Sequence, residues 1–194
     1  MHIVFEGIDN SGKHTQAGEC IEYLRKKGLK THFYWYPDRN GPYYKIIGPF
    51  LKEEIDLSPT TQFLTFLSDF SKDQRAIFKE ISDGKTVVMD RYVFSAIAYQ
   101  DIAIERTMKV VKSLKFIRPD IIFYLDIPPE ISFEREKRRK KESGRYEKKK
   151  ERLLLARIKY KIMAENNFLG KWITVDGSKN IKDISKEVIK NLPL

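Results

Sequence analysis

The sequence predicts an α/β fold built on a mostly parallel sheet of about five strands. Short apolar, β-branched runs alternate with segments in which apolar residues recur at the helical period. Strands that alternate with helices form β-α units, whose crossovers make neighbouring strands parallel. There is no internal repeat or low-complexity tract, and 194 residues suit one domain with at most a small insertion. We therefore expect a single domain over residues 1–194.

The first predicted strand and helix surround a glycine-rich loop. The strand is the apolar run HIVFEGI, residues 2–8. The helical period starts at Lys13, and Gly28 stands where a helix C-cap belongs. The buried face of this helix is predicted to contain Ala17, Cys20, Ile21 and Leu24.

The remaining strands and helices follow in alternation. A second helical region begins at Ser58, with Ser as N-cap and Pro59 in the first turn, and its apolar period continues to Asp83. Further helices are predicted over about 93–115, around 147–165 and from Ile181 to Leu192. The other strands are predicted at 31–36, 86–90, 121–127 and 172–176.

The charge balance favours a phosphorylated or otherwise polyanionic partner. The net charge is +10, and residues 135–152 contain eleven Lys and Arg against four Glu. Most of this run is typical of a solvated helix face. Apart from Tyr146, its basic residues lack the interleaved aromatics of single-stranded nucleic-acid binding, so we expect no stable nucleic-acid complex.

The sequence lacks the features of membrane-spanning, secreted, disulfide-bonded and zinc-binding proteins. No run approaches the ~18 apolar residues of a membrane helix, and the beginning of the chain, MHIVFEGID, does not resemble a signal peptide. One cysteine, Cys20, excludes a disulfide within the chain and a cysteine-based zinc site. His2 and His32 lie in or beside strands without ligand spacing, so we interpret both as structural. A cytoplasmic protein is expected.

The loop after the first strand has the frame of a phosphate-binding loop, G-x-x-x-x-G-K, in GIDNSGKHTQ. A bare match is weak, but a strand before it and a helix after it supply the required context. Backbone N–H groups of such a loop bind anions, and Lys13 would reach the terminal phosphates. The alternative for Lys13 is a surface lysine after a turn. The predicted ATP-binding residues are Gly7, Ile8, Asp9, Asn10, Ser11, Gly12, Lys13, His14 and Thr15.

His14 stands where such loops carry the Ser or Thr that holds Mg²⁺. Three interpretations are open. Mg²⁺ is held by phosphates, Asp90 and waters while His14 donates a hydrogen bond, which we favour because Mg²⁺ prefers oxygen ligands. Alternatively, Thr15 turns in through a shifted helix start, or activity is weak or lost.

Polar residues follow three other predicted strands, where ligands of such sheets bind. Arg39 in YPDR can fork onto a phosphate, although the same letters make an ordinary turn. Asp90 and Arg91 suit metal-water binding and phosphate clamping, with a surface ion pair as the alternative. Asp126 is either a metal-organising acid or a turn cap.

Together these motifs resemble the thymidylate kinases, a branch of the P-loop nucleoside monophosphate kinases. The matching segments span nearly the whole chain, and DRYVFSAIAYQ is the most specific; the others are FEGIDNSGK, YPDR, RPDIIFYLDIPPE, GRYE and VDGS. The resemblance implies a P-loop NTPase-type three-layer sandwich, with a five-stranded parallel sheet flanked by helices and a small basic lid at about 135–152. It implies Mg²⁺-dependent transfer of the ATP γ-phosphoryl to dTMP, giving dTDP and ADP, by a cytoplasmic homodimer.

The resemblance also implies roles for single residues on the acceptor side. Asp9 would bind the 3′-hydroxyl of the acceptor sugar, and Arg39 and Arg91 would hold its phosphate. Phe66 would stack on the thymine ring. Tyr99 would lie beneath C2′ and exclude ribose, although core packing is its plain alternative. The remaining acceptor-side residues are Ser95 near the base, Phe70 one turn after Phe66, and Tyr146 in the GRYE segment.

On the ATP side, Asp90 would organise Mg²⁺ through water. Some family members carry an Arg inside the loop where this chain has Asn10 and Ser11. Positive charge must then come from the lid, where Arg138, Arg139 or Arg145 would fold over ATP and exclude water.

One departure concerns the base. Phe70 stands where the family usually has an Arg that contacts the base. The resemblance therefore implies one fewer polar contact in support of thymine specificity. The alternatives are the same fold acting on another deoxynucleotide or a deoxynucleoside, and a low-activity nucleotide-binding paralogue.

Overall fold

The computed structural model describes residues 1–138 and 146–194, with no side-chain detail for 146–148. At its centre lies a five-stranded sheet of order β2-β3-β1-β4-β5 in which every neighbouring pair is parallel. Asp90 in β3 is in register with Phe5 in β1. The strands are β1 (His2–Glu6), β2 (Thr31–Trp35), β3 (Thr86–Asp90), β4 (Ile121–Asp126) and β5 (Lys171–Asp176).

Helices connect these strands throughout the described part of the chain. The first half contains α1 (Lys13–Lys26), α2 (Tyr44–Leu51), α3 (Pro59–Ser71) and α4 (Gln74–Ser82). The second half contains α5 (Val93–Ala98), α6 (Ile104–Ser113), α7 (Pro129–Arg138), α8 (Tyr146–Glu165) and α9 (Ile181–Lys190).

The sheet is buried on both faces, as all-parallel sheets require. On one face, Val4, Met89 and Tyr124 pack against α3, α5 and α8. On the other face, Phe5 and Phe123 stack with ring centroids 5.3 Å apart and pack against α1 and α9. This is the three-layer arrangement that the sequence predicted, and the P-loop NTPase-type fold class is confirmed. Of the predicted lid, residues 139–145 lie outside the described part.

Two predicted helices are each divided in two. The region from Ser58 to Asp83 is interrupted between α3 and α4, where Lys72 forms ion pairs with Asp69 at 3.0 Å and with Asp73 at 2.7 Å. The region over 93–115 is interrupted between α5 and α6, where the side chain of Lys159 in α8 donates hydrogen bonds to the backbone carbonyls of Gln100 and Ile102. The second interruption therefore coincides with contacts from a distant part of the chain, which the local period cannot reveal.

Helix α2 was not predicted. Its sequence, YKIIGPFL, contains Gly48 and Pro49, which usually interrupt helices. Ile47 is nevertheless fully buried. Among the described residues, no helix combines the length and apolarity needed to cross a membrane.

Candidate active site

The phosphate-loop motif forms a tight turn between β1 and α1. Gly7 has φ +146°, and a Cβ built on it would lie 2.6 Å from the carbonyl oxygen of Leu125, so a side chain cannot be accommodated. Gly12 has φ +100° and is the N-cap of α1. The loop therefore brings backbone N–H groups to the N-terminus of a helix, which is a general anion-binding arrangement.

Lys13 is buried within this loop. Its Nζ donates hydrogen bonds to the Ile8 carbonyl at 2.7 Å and to Ser11 Oγ at 3.4 Å. Burial and repulsion from Arg91 lower the pKa of Lys13 to about 8, against the attraction of neighbouring carboxylates. A phosphate beside this ammonium group would favour its charged form.

Arg91 joins the end of β3 to the loop. Its guanidinium donates to Asp9 Oδ1 at 2.6 Å and to Ser95 Oγ at 3.1 Å, and lies over the ring of Tyr99. The Tyr99 hydroxyl also donates to Asp9 Oδ1, at 3.0 Å. Burial alone would raise the pKa of Asp9, but the charges of Arg91 and Lys13 hold that pKa below its usual range. Asp9 is thus held as an oriented carboxylate.

Next to this group lies an aromatic cleft whose lining contains most of the predicted acceptor-side residues. Phe66 is half-buried in its wall. Phe70 also lines the cleft but is 1% exposed, because its ring packs edge-on against Tyr36 and Tyr92. The lining residues are Asp9, Tyr36, Pro37, Leu51, Gln62, Phe66, Phe70, Arg91, Ser95, Tyr99, Gln100 and Arg152.

A second, more polar cleft opens over the phosphate loop. It shares Asp9 and Arg91 with the first cleft, so the two meet at this ion pair. Its lining residues are Asp9, Asn10, Gly12, Lys13, His14, Thr15, Arg39, Asp90, Arg91, Glu136 and Lys149.

Comparison with known proteins decides the family. A family model described as thymidylate kinase matches residues 5–188. The chain belongs to the thymidylate kinase family. A thymidylate kinase of Leptospira borgpetersenii is 36% identical over 98% of this chain and 92% of its own length. Those of Plasmodium falciparum and Caenorhabditis elegans are 31% and 32% identical, over 98% and 97% of this chain and 88% of each relative.

Arg39, which we expect to hold the acceptor phosphate, lies on the phosphate-loop side of the site. It lines the polar cleft and not the aromatic one. Its exposed guanidinium lies 5.9 Å from the ring centre of Trp35. The preceding residues are fixed, since the Asp38 backbone N–H donates to Asp69 and Lys72 bonds the Asp38 carboxylate at 3.1 Å.

The cation side of the site is formed by Asp90 and His14. His14 Nδ1 lies 3.2 Å from Asp90 Oδ2. Because α1 begins at Lys13, it is His14 that contacts Asp90, without the shifted helix start that Thr15 would need. Asp90 Oδ1 is buried and has no hydrogen-bond partner among the described residues.

The Asp90 carboxylate suits Mg²⁺ when nucleotide phosphates and waters complete the ligands of the cation. No group of three or more His, Cys, Asp or Glu side chains in the described part could hold a metal alone. Carboxylate oxygens, phosphates and water are the ligands that Mg²⁺ ordinarily uses. The arrangement therefore fits a cation that arrives with its nucleotide.

The lid residues are described only in part. Arg138 is exposed at the end of α7. Arg139 and Arg145 lie outside the described residues, and Tyr146 begins α8 with its side chain undescribed. The predicted roles of these four residues stay predictions.

Arg135, which sequence reasoning missed, connects α7 to two loops. Its guanidinium donates to the Asn10 carbonyl at 3.1 Å and to the Gly177 carbonyl at 2.7 Å. It thereby ties the start of the lid region to the phosphate loop and to the VDGS segment. The sequence could not single out Arg135, because it is one of eleven basic residues in the run 135–152.

Glu6 was also missed. It is fully buried, and its carboxylate accepts hydrogen bonds from the Tyr92 backbone N–H at 2.7 Å and from the Ser95 and Tyr160 hydroxyls, each at 2.8 Å. Burial raises the pKa of Glu6, although Arg91 and these donors act in the opposite direction. The sequence feature that could have revealed Glu6 is an acidic residue within the apolar run HIVFEG.

Gln100 and Arg152 complete the aromatic cleft. Gln100 is 3% exposed, and its Oε1 has no hydrogen-bond partner in the part of the chain described. Arg152 of α8 lies over the ring of Tyr99, 5.5 Å from its centre. Gln100 ends the segment DRYVFSAIAYQ and Arg152 ends the basic run 135–152, but the sequence alone assigned a role to neither.

The structure shows Asp126 in contacts that neither of its two sequence interpretations, a metal-organising acid or a turn cap, included. Its carboxylate forms an ion pair with Arg157 of α8 at 2.6 Å and accepts a hydrogen bond from the Tyr124 hydroxyl. Burial opposes ionisation, but these bonds hold the pKa of Asp126 below its usual range. Asp126 therefore fastens α8 to the sheet.

Proposed function

We propose that this protein transfers the γ-phosphoryl group of ATP to dTMP, producing dTDP and ADP. The observation that carries the proposal is the meeting of a polar phosphate-loop cleft and an aromatic cleft at Asp9 and Arg91. A phosphoryl group passing between two nucleotides needs donor and acceptor phosphates to face each other at one point of positive charge. The thymidylate kinase relatives support the choice of acceptor.

The aromatic cleft suits a pyrimidine deoxynucleotide. Phe66 offers a ring on which the base stacks. Gln100 Oε1, which has no hydrogen-bond partner among the described residues, would accept a hydrogen bond from the imide N–H of thymine. This would supply a polar contact where Phe70 replaces the family's Arg. Asp9 would accept a hydrogen bond from the sugar 3′-hydroxyl, and Tyr99 would occupy the space that a ribose 2′-hydroxyl needs.

In the chemical step the protein positions the two nucleotides and supplies positive charge around the transferred phosphoryl group. An oxygen of the acceptor phosphate attacks the γ-phosphorus of ATP, and the bond to the ADP oxygen breaks. Lys13 and Arg91 would stabilise the charge on the transferred group and the acceptor phosphate. Arg138, Arg139 or Arg145 of the lid would add charge and exclude water.

We assign Mg²⁺ to Asp90, acting through water, as the cation that accompanies ATP. When bound, Mg²⁺ neutralises part of the charge on the terminal phosphates. Asp90 supports this role because one of its oxygens is free of hydrogen bonds within the described residues.

We further propose a cytoplasmic homodimer of single-domain subunits, with the lid at about 135–152. We propose α3 as the interface helix, since it buries Phe63 and Leu67 but leaves Leu64 51% exposed. The adjoining helix α4 leaves Phe78 65% exposed. Such apolar exposure is consistent with a covered face. Sedimentation of the wild type and of Leu64→Glu tests it: we expect a dimer that the variant weakens, and a monomeric wild type would contradict it.

The acceptor is tested by measuring ADP release with ATP, with and without Mg²⁺, across dTMP, dUMP, dCMP, dGMP and thymidine. We expect the highest kcat/KM with dTMP and turnover that requires Mg²⁺. If dTMP is turned over no better than dCMP or dGMP, another acceptor replaces it. A near-zero rate with every acceptor would instead favour the low-activity paralogue.

A further inference from the structure

His14 is held in place from three sides. Its Nδ1 contacts Asp90 Oδ2 at 3.2 Å, and its ring packs edge-on against Phe33 and Trp35, with centroids 5.6 and 5.7 Å away. The side chain is still 67% exposed and lines the polar cleft over the phosphate loop. An imidazole thus occupies, in a defined orientation, the position from which a hydroxyl oxygen usually binds Mg²⁺.

We propose that His14 and Asp90 form a divalent-cation site in which His14 supplies a nitrogen ligand, so that the nucleotide-bound protein prefers Mn²⁺ or Co²⁺ to Mg²⁺. This inference rests on the proposed function, because the phosphates of a bound nucleotide must provide further ligands. It goes beyond that function in assigning direct bonds to the cation to both His14 and Asp90, so that Asp90 binds without an intervening water.

The spacing of the two atoms fits one cation. Two donors at right angles on an octahedral cation, each about 2.1–2.2 Å from it, are about 3 Å apart. The Nδ1–Oδ2 distance of 3.2 Å is close to that edge. A cation bound there takes the lone pair of Nδ1, so the neutral imidazole of His14 carries its single proton on Nε2.

The ligand chemistry selects among cations. Mg²⁺ binds oxygen and accepts imidazole poorly, whereas the affinity of nitrogen-containing sites rises from Mn²⁺ to Co²⁺. A serine in place of His14 would return an oxygen donor to the loop. The preference for Mn²⁺ should therefore depend on His14 and on the bound nucleotide.

The chain contains a matched control pair. His32 Nδ1 lies 3.3 Å from Glu80 Oε1 and is also partly exposed, but neither residue lines either cleft. Loss of His32 should leave nucleotide-dependent cation binding unchanged.

The direct test is pulsed electron paramagnetic resonance of the full chain with Mn²⁺ and ADP. Labelling its three histidines with ¹⁵N distinguishes a histidine ligand from the nitrogens of adenine. We expect a ¹⁵N coupling typical of a metal-bound ring nitrogen in the wild type and in His32→Ser, and its loss in His14→Ser. A wild-type spectrum without that coupling, or a coupling that persists in His14→Ser, would overturn the proposal.

Cation competition on the ADP complex gives an independent measurement. We expect the ratio of the Mg²⁺ to the Mn²⁺ dissociation constant to fall by at least ~10-fold in His14→Ser, as loss of a nitrogen ligand implies. An unchanged ratio contradicts the inference. Calorimetry of ADP binding separates the two proposals: failure to bind ADP contradicts the proposed function, whereas ADP binding without nitrogen coupling contradicts this inference alone.

Discussion

Arg91 and Asp9 form an ion pair, with 2.6 Å between guanidinium nitrogen and carboxylate oxygen, that links the end of β3 to the phosphate loop. Arg91 adopts a φ of +71°, which is unusual for a residue with a side chain and is maintained here by its surroundings. The pair stands where both clefts meet, so it presents one carboxylate and one guanidinium group to both clefts.

Replacement of Arg91 should damage catalysis more than folding. We expect Arg91→Ala to lower kcat/KM for dTMP by at least ~10²-fold, because charge-assisted contacts to phosphate are lost. Arg106→Ala on the exposed face of α6 is the control and should change little. Steady-state kinetics with a thermal unfolding scan of each variant provides the measurement. Near-unchanged kinetics for Arg91→Ala would remove Arg91 from the site.

Two variants of Tyr99 distinguish the steric role of its ring from the hydrogen-bonding role of its hydroxyl. Its hydroxyl bonds Asp9, while its ring lines the aromatic cleft. We expect Tyr99→Phe to keep the preference for dUMP over UMP, because the ring remains, and Tyr99→Ala to reduce that preference about 10-fold, a cost of roughly 1.4 kcal/mol. The ratio of kcat/KM values for the two nucleotides measures it. Equal losses in the two variants would assign discrimination to the hydroxyl.

Glu6 should matter for stability because it is the shared acceptor of three buried donors. Glu6→Ala removes the acceptor of three hydrogen bonds, at about 1 kcal/mol each, so we expect a loss of roughly 3 kcal/mol. Tyr160→Phe removes one donor and should cost about 1 kcal/mol. Chemical denaturation compares them, with Glu6→Gln as the milder variant if Glu6→Ala does not fold. A Glu6 variant no less stable than Tyr160→Phe would show that the network is not cooperative.

His2 should make stability depend on pH. Burial lowers its pKa from the ordinary 6.5 to about 4. Between these values the unfolded chain binds one proton that the folded chain does not, so the contribution of His2 is complete above pH 6.5 and is lost as pH falls toward 4. The full loss is roughly 3 kcal/mol.

His2→Phe keeps an aromatic ring near Tyr92, which His2 contacts edge-on, but cannot titrate. We expect its unfolding free energy to fall less steeply from pH 6.5 to 4 than that of the wild type, in urea titrations at several pH values. His32→Phe, at a partly exposed position, serves as the comparison. Parallel pH profiles for the wild type and His2→Phe would show that His2 is not the titrating group.

The fold was largely predictable because strand and helix periods are local properties. Ile3 and Phe5, or Ala17 and Leu24, reveal their buried faces within a few residues. The division between α5 and α6 was not predictable, because the carbonyls there are bound by Lys159, more than fifty residues later. Local pattern carries no information on such partners.

The site was predictable where residues follow strand ends, as Asp9, Asp90 and Arg91 do. Glu6 and Arg135 were not, since their partners are 154 and 125 residues away along the chain. Arg39 lines the polar cleft together with Asp9 and Arg91, and its predicted contact with the acceptor phosphate stays a prediction.

The most direct measurement follows the transferred group itself. [γ-³²P]ATP and dTMP are mixed with the protein and Mg²⁺, and the labelled products are separated and quantified. We expect label to appear in dTDP at the rate at which ADP forms, with Lys13→Ala lowering that rate by at least ~10²-fold. Label that remains in ATP, or passes to inorganic phosphate while dTMP is unchanged, would contradict the assignment of this protein as a kinase acting on dTMP.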